Sequence, residues 1–141
     1  MPKPSAQPIP TAMACGMLSD GDKVLFLKRR DAQGVERLSL PYVFIFGKEN
    51  PVSKLAESFL EQTGIDGHVQ DVILQSTQNT GSRKKKRFIP VLGFRVTAKN
   101  TQAKPSAVFS GYTWTALESA AGQKLERNTE WIRQMRPQPK P

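Results

Sequence analysis

The segment from Asn50 to Ile65, NPVSKLAESFLEQTGI, carries helix signals at both ends and along its length. Asn50 offers a side-chain oxygen suited to an N-cap, and Pro51 has the fixed φ and missing N–H that the first helical position tolerates. Val52, Leu55, Ala56, Phe59, Leu60 and Thr63 recur at helical spacing and predict one buried stripe. Lys54, Glu57, Ser58, Glu61 and Gln62 make the opposite, polar face, on which Glu57 and Glu61, four apart, point the same way. Gly64 stands where the chain needs a left-handed residue to end the helix, and Ile65 folds back on the last turn. Just before it, Leu40 to Phe46 is β-branched and aromatic and predicts a strand buried on both faces or nearly so.

The remaining segments supply the other layers. Ala12 to Leu18 is small and apolar, Ser19-Asp20-Gly21-Asp22 is a turn signal, and Lys23 to Lys28 is a strand. The pair predicts a hairpin that ends at Arg29 and Arg30. Ala32 to Leu40 is expected as a connecting loop. After the Asp66-Gly67 turn, Val69 to Gln75 predicts a strand, and Thr77 to Ser82 a polar loop that runs into RKKKR at Arg83 to Arg87. Phe88 to Val96 predicts a strand in which Pro90 and Gly93 mark an edge position or a bulge. Ala107 to Thr115 predicts the last strand, with Thr115 capping a short helix at Ala116–Ala121. Residues 126–136 predict a C-terminal helix with Trp131, Ile132 and Met135 inward. This order predicts an α+β domain over residues 11–136 with a mixed sheet. A flexible Pro-rich arm, residues 1–10 with four prolines, precedes it, and residues 137–141 form a tail.

Charge and composition narrow the function. The chain has 141 residues, enough for one domain with a core, and a formal charge of +9. That balance points to a nucleotide or another polyanion, RNA included. The charge is segregated: no Asp or Glu lies between Asp71 and Glu118, an interval with eight Lys or Arg. No apolar run approaches the roughly 18–20 residues of a membrane span, so a membrane partner is not expected. The single Cys15 excludes an internal disulfide and fits a reducing, cytoplasmic setting; its apolar neighbours predict a buried structural thiol. His68 is the only histidine and has no second histidine with which to make a metal pair.

The stretch from Pro41 to Ile65 resembles a Nudix box, G-x5-E-x7-R-E-U-x-E-E-x-G-U with U aliphatic. Aligning Gly64 and Ile65 with its last two positions places Glu61 on the first of the paired glutamates and Glu49 on the isolated one. Pro41, Glu49, Phe59, Glu61, Gly64 and Ile65 agree with the pattern; Val43, Glu57, Ser58 and Gln62 depart from it. The element order and Trp114 before a short helix also resemble that family. The resemblance implies a Nudix-like α/β/α sandwich with a mixed β-sheet. It implies a metal-dependent pyrophosphohydrolase acting on nucleoside diphosphates linked to another group, with Mg²⁺ or Mn²⁺ held by helix carboxylates. Of the three helix glutamates only Glu61 is kept. Ser58 and Gln62 stand in the other two places, and tyrosine, valine and phenylalanine replace glycines before the helix.

Two functions follow as expectations. In the first, Glu49, Glu57 and Glu61 meet one metal ion, Glu57 and Glu61 act in catalysis, and Arg29 and Arg30 bind phosphate together with Arg83, Lys84, Lys85, Lys86 and Arg87. In the second, the fold binds nucleotide or RNA through its basic surface without catalysis. The bland alternative for Glu57 and Glu61 is a solvated face that balances Lys54.

Overall fold

The computed structural model describes residues 9–134 and 136–137. Most of the N-terminal arm, Met135 and most of the tail lie outside the described residues. At the centre runs β1 (Ala12–Asp20), in which Met13 to Leu18 are all buried. Successive side chains of a strand face opposite ways. Met13, Cys15 and Met17 therefore enter one core cluster while Ala14 and Leu18 enter the two clusters across the sheet. A strand buried on both faces needs a layer on each side, which is the sandwich.

The other strands assemble around β1. They are β2 (Lys23–Arg30), β3 (Glu36–Ser39), β4 (Tyr42–Ile45), β5 (His68–Asn79), β6 (Phe88–Thr97), β7 (Gly111–Thr115) and β8 (Arg136–Pro137). The order is β3-β2-β1-β6-β5-β8, with β4 also on β1 and β7 also on β2. The sheet is mixed: β1 runs parallel to β6, Met13 opposite Val91 through Leu18 opposite Val96, and antiparallel to β4. The expected β1–β2 hairpin is present, with Gly21 at φ 65° in its turn, but only Ser19–Val24 and Asp20–Lys23 pair before the strands part. Beyond that point β2 pairs with β3 and β7 instead.

Helix α1 (Pro51–Thr63) has the ends its sequence predicts. Asn50 Oδ1 accepts from the N–H groups of Val52 and Ser53 at 2.9 and 3.3 Å, Pro51 opens the helix, and Gly64 closes it at φ 73°. Phe59 is fully buried among Leu18, Leu25, Ile65 and Val96, a burial that stabilises by about 1.5–3 kcal/mol. Gly16 and Gly67 accommodate its ring: a Cβ at either would lie 2.7 or 3.1 Å from it. On the other face, α2 (Leu117–Ala121) and the 3-10 helix Arg127–Gln134 bring Ala120, Trp131 and Ile132 against Met13, Cys15 and Phe26.

Several expectations are corrected. The stripe on α1 is narrower than its sequence suggests: Leu55, Phe59 and Thr63 are buried, whereas Val52 and Leu60 are 40% and 48% exposed, because the sheet covers only part of the helix. The loop expected at Ala32–Leu40 contains β3, which pairs Leu38 with Lys28 and Arg37 with Arg29. In β4 only Ile45 is buried; Tyr42, Val43 and Phe44 are half-buried along a cleft. β6 lies between β1 and β5, not at an edge, and the register shifts fall in β5 on either side of Val72, near Gly93. Pro90 is tolerated because pairing with β1 begins only at Val91. β7 begins at Gly111, since 107–110 is turn and bend, and α2 has no side-chain cap from Thr115. The C-terminal segment is a 3-10 helix, its inner face supplied by Thr129, Trp131 and Ile132.

Candidate functional site

One cleft gathers residues from β2, β4, α1 and the 3-10 segment. It has a volume of about 490 Å³, and its lining includes Arg29, Tyr42, Ser58, Glu61, Gln62 and Glu126. Helical spacing puts Ser58, Glu61 and Gln62 on the side of α1 that faces β4. A larger cleft of about 720 Å³ beside α2 contains none of the residues expected to carry function, so the α1 cleft is the candidate.

The position of Gln62 is set by two hydrogen bonds to one residue of β4. Its Nε2 donates to the carbonyl oxygen of Tyr42 at 2.7 Å, and its Oε1 accepts from the Tyr42 N–H at 3.3 Å. Both ends of the amide are thereby used as a bracket between helix and strand. The C-terminal turn of the helix is anchored further. Lys104 N–H donates to Thr63 O at 2.7 Å and Ser106 N–H to Gln62 O at 3.1 Å, which lays the loop before β7 along the cleft.

The expected carboxylate trio is not gathered. Glu61 lines the cleft; Glu57 is exposed and is not part of its lining. Glu49 accepts from Phe46 N–H at 2.8 Å and pairs with Lys54 at 3.4 Å. The Phe46 N–H, and then Lys54, hold its carboxyl below the usual glutamate range. Among the described residues no three His, Cys, Asp or Glu side chains form a group able to hold a metal ion. The physical reason is local: Glu49 closes the turn before the helix, and Glu57 points to solvent.

The cleft does hold a second carboxylate, missed by sequence reasoning. Glu126 comes from the segment before the 3-10 helix and lies 3.9 Å from Arg29 Nε. Nothing in the helix motif signals it, because it is brought in by the pairing of its N–H with Leu38 O at 2.8 Å. Arg29 belongs to the cleft as expected; Arg30 is exposed and outside its lining. His68 is exposed at the start of β5. Cys15 is buried, and burial pushes its thiol up, so it carries no reactive thiolate.

The cleft does not fit a resident divalent metal. Such an ion needs several oxygen ligands with negative charge. Glu61 is the one carboxylate of the expected set in the lining, Ser58 and the Gln62 amide, which is bonded to Tyr42, are neutral, and Glu126 stands beside Arg29.

Arg83, Lys84, Lys85, Lys86 and Arg87 lie together at the tip of the β5–β6 hairpin and are all exposed. They are away from Glu61 but not isolated from the cleft. A middle cleft of about 300 Å³ shares Arg29, Tyr42, Glu126 and Asn128 with the first. A third, of about 450 Å³ and lined by Arg83, shares Gln78, Asn79 and Arg127 with the middle one.

No family model matches the chain, and no curated protein matches it in sequence. Solved structures do match in fold. The E. coli ORF135 protein has a TM-score of 0.66 at 12% identity, over 86% of this chain and 85% of that one. The MutT protein from Methanosarcina mazei Go1 has a TM-score of 0.62 at 18% identity, over 92% of each chain. The Nudix domain of Shewanella oneidensis NrtR, complexed with ADP-ribose, has a TM-score of 0.61 at 16% identity, over 94% of this chain and 90% of that one.

Proposed function

We infer that this chain, whose fold is Nudix-like, is a binding module for a nucleotide-type ligand and does not hydrolyse it through a resident metal. The Gln62–Tyr42 bracket carries this reading. A residue whose place in the resemblance belongs to a metal-holding glutamate works here as a structural clamp, neutral and held by hydrogen bonds at both ends of its amide. The binding half of the reading is supported by the cleft. Arg29 offers a cation for phosphate, and its 3.9 Å pair with Glu126 is partly exposed, a kind of pair worth about 0–1 kcal/mol, so an entering phosphate can replace it. Tyr42 and Phe44 stand edge to face, 5.6 Å between ring centroids, and line the middle cleft as a wall for a base. The ADP-ribose held by the NrtR domain supports a ligand of the same class.

Titration calorimetry with ADP-ribose and ADP in EDTA tests this. Binding is expected without metal and weakened by Arg29→Ala, with no turnover in Mg²⁺ or Mn²⁺ when products are separated by chromatography. The presence of Glu61 and Glu126 in one cleft favours a second reading, a pyrophosphohydrolase. Metal-dependent turnover abolished by Glu61→Gln would establish that reading and overturn the first.

A further inference from the structure

The three clefts neighbour one another and share lining residues. Arg29, Tyr42, Glu126 and Asn128 belong to the first and second; Gln78, Asn79 and Arg127 belong to the second and third. Taken in order, the neighbouring clefts mark a path, the trough, from Glu61 on α1, past the Tyr42–Phe44 pair, to Arg83 at the hairpin tip. Its far end is built, not merely solvated. Asn79 Oδ1 accepts from the N–H groups of Gly81 and Arg87, both at 2.9 Å, and Ser82 Oγ accepts from Lys85 N–H at 2.9 Å. Arg127 donates to the carbonyl oxygens of Asn79 and Gly81, which fastens the tip to the wall of the trough. A Cβ at Gly81 would come within 2.1 Å of Lys85 O, so the turn closes only with glycine there.

This turn holds five cations side by side, and none of them forms an ion pair among the described residues. The carboxylates that line the trough are Glu61 at its near end, Glu126 beside Arg29, and Glu130 at its far end. Phe88, next to the tip, is 59% exposed, so its ring is open to a stacking partner.

We propose that the trough and hairpin tip bind single-stranded nucleic acid. One nucleotide occupies the Arg29–Tyr42 end, the following phosphates reach the tip cations, and a base stacks on Phe88. The nucleotide end rests on the reading given above. A repeated phosphate backbone with stackable faces is the chemistry that satisfies both ends of the trough. A base that stacks on Phe88 must be unpaired, which favours a single strand over a duplex. Braced loops lose less entropy on binding than free ones, so the side-chain brackets under the tip favour such a ligand.

Fluorescence anisotropy with labelled eight-nucleotide oligo-U and oligo-dT over a salt series tests this, with calorimetry of ADP-ribose in parallel and a labelled duplex and inorganic polyphosphate as competitors. The single strands are expected to bind at least about tenfold more tightly than the duplex. Log K should fall with log salt by about 0.7 per phosphate contact. Lys84→Ala with Lys85→Ala and Lys86→Ala should flatten that slope by about two units and leave ADP-ribose affinity unchanged. Phe88→Ala should weaken the strand about fivefold or more without altering the slope. The proposal is overturned if the triple variant keeps the wild-type slope, or if duplex or polyphosphate binds as tightly as the single strand. ADP-ribose binding without tighter oligonucleotide binding overturns this proposal alone. Oligonucleotide binding with the expected slope, but none of ADP-ribose, supports it and overturns the mononucleotide reading instead.

Discussion

Gln62 and Tyr42 are joined by a pair of hydrogen bonds, 2.7 Å from Nε2 to the Tyr42 carbonyl and 3.3 Å from the Tyr42 N–H to Oε1. This closes the gap between α1 and β4. A glutamate there keeps the acceptor but turns its other oxygen onto a carbonyl. Gln62→Glu is therefore expected to destabilise the domain by about 1–3 kcal/mol, measured by urea unfolding. An unchanged midpoint would mean that the bracket contributes nothing.

Mg²⁺ at millimolar concentration is expected to leave the Tm of the wild type unchanged. Ser58→Glu combined with Gln62→Glu places carboxylates beside Glu61. Relative to its own metal-free Tm, that variant should rise by about 4 °C at tenfold excess over Kd. Scanning fluorimetry with and without EDTA checks both. A wild-type rise lost in Glu61→Gln would show that a metal is already held.

Phe59→Ala should cost about 3–5 kcal/mol, since the ring is fully buried and the backbone of Gly16 and Gly67 packs against it. A loss below about 1 kcal/mol in chemical denaturation would place the core elsewhere.

Gly64→Ala should be costly for two separate reasons. The residue sits at φ 73°, a penalty of about 1–2 kcal/mol for an L side chain, and its Cβ would approach Lys104 O to 2.7 Å. The second effect pushes the loop before β7 off the helix. Faster hydrogen exchange at the Lys104 and Ser106 amides is the expected signature, and unchanged exchange there would refute it.

Asp31 gives a pH dependence. Arg37 Nε, together with the N–H groups of Val35 and Gln33, each at 2.9 Å, donates to its carboxylate. The Arg37 bond first, then the Val35 N–H, holds its pKa below the ordinary aspartate value. A carboxyl that ionises more readily when folded adds stability above its unfolded pKa. That contribution is lost as pH falls through the lower folded value. Asp31→Asn should flatten the acid limb of the stability–pH curve and leave its shape above about pH 6 unaltered.

The sequence signals that proved reliable were those with a local cause. The Asn50 cap, Pro51 and Gly64 define α1 from within, and Phe59 declares its buried side by spacing alone. The signals that failed depended on distant partners. The segment Glu36–Ser39 carries no strand pattern of its own and is a strand because β2 offers an edge. Glu126 reaches the cleft through a contact with Leu38 that no motif records. Glu57 and Glu61 share a helix spacing, yet the cleft opens only toward Glu61, and where it opens is set by β4 and the loop before β7.

The parallel pairing of β1 with β6 has a consequence for the order in which the molecule forms. Met13 meets Val91, so the central ladder joins segments on either side of α1 and β5. As the chain leaves the ribosome, β1 can find β2 across the Gly21 turn and then β4, but its other edge stays open until β6 is made. Such long-range closure slows folding relative to local pairing. The β5–β6 hairpin, by contrast, is local and can zip early, presenting its cationic tip before the sheet that carries it is complete. During that interval the open edge of β1, whose Met13 to Leu18 run is buried in the finished sheet, is the vulnerable surface, and a chaperone or a second nascent chain would meet it there.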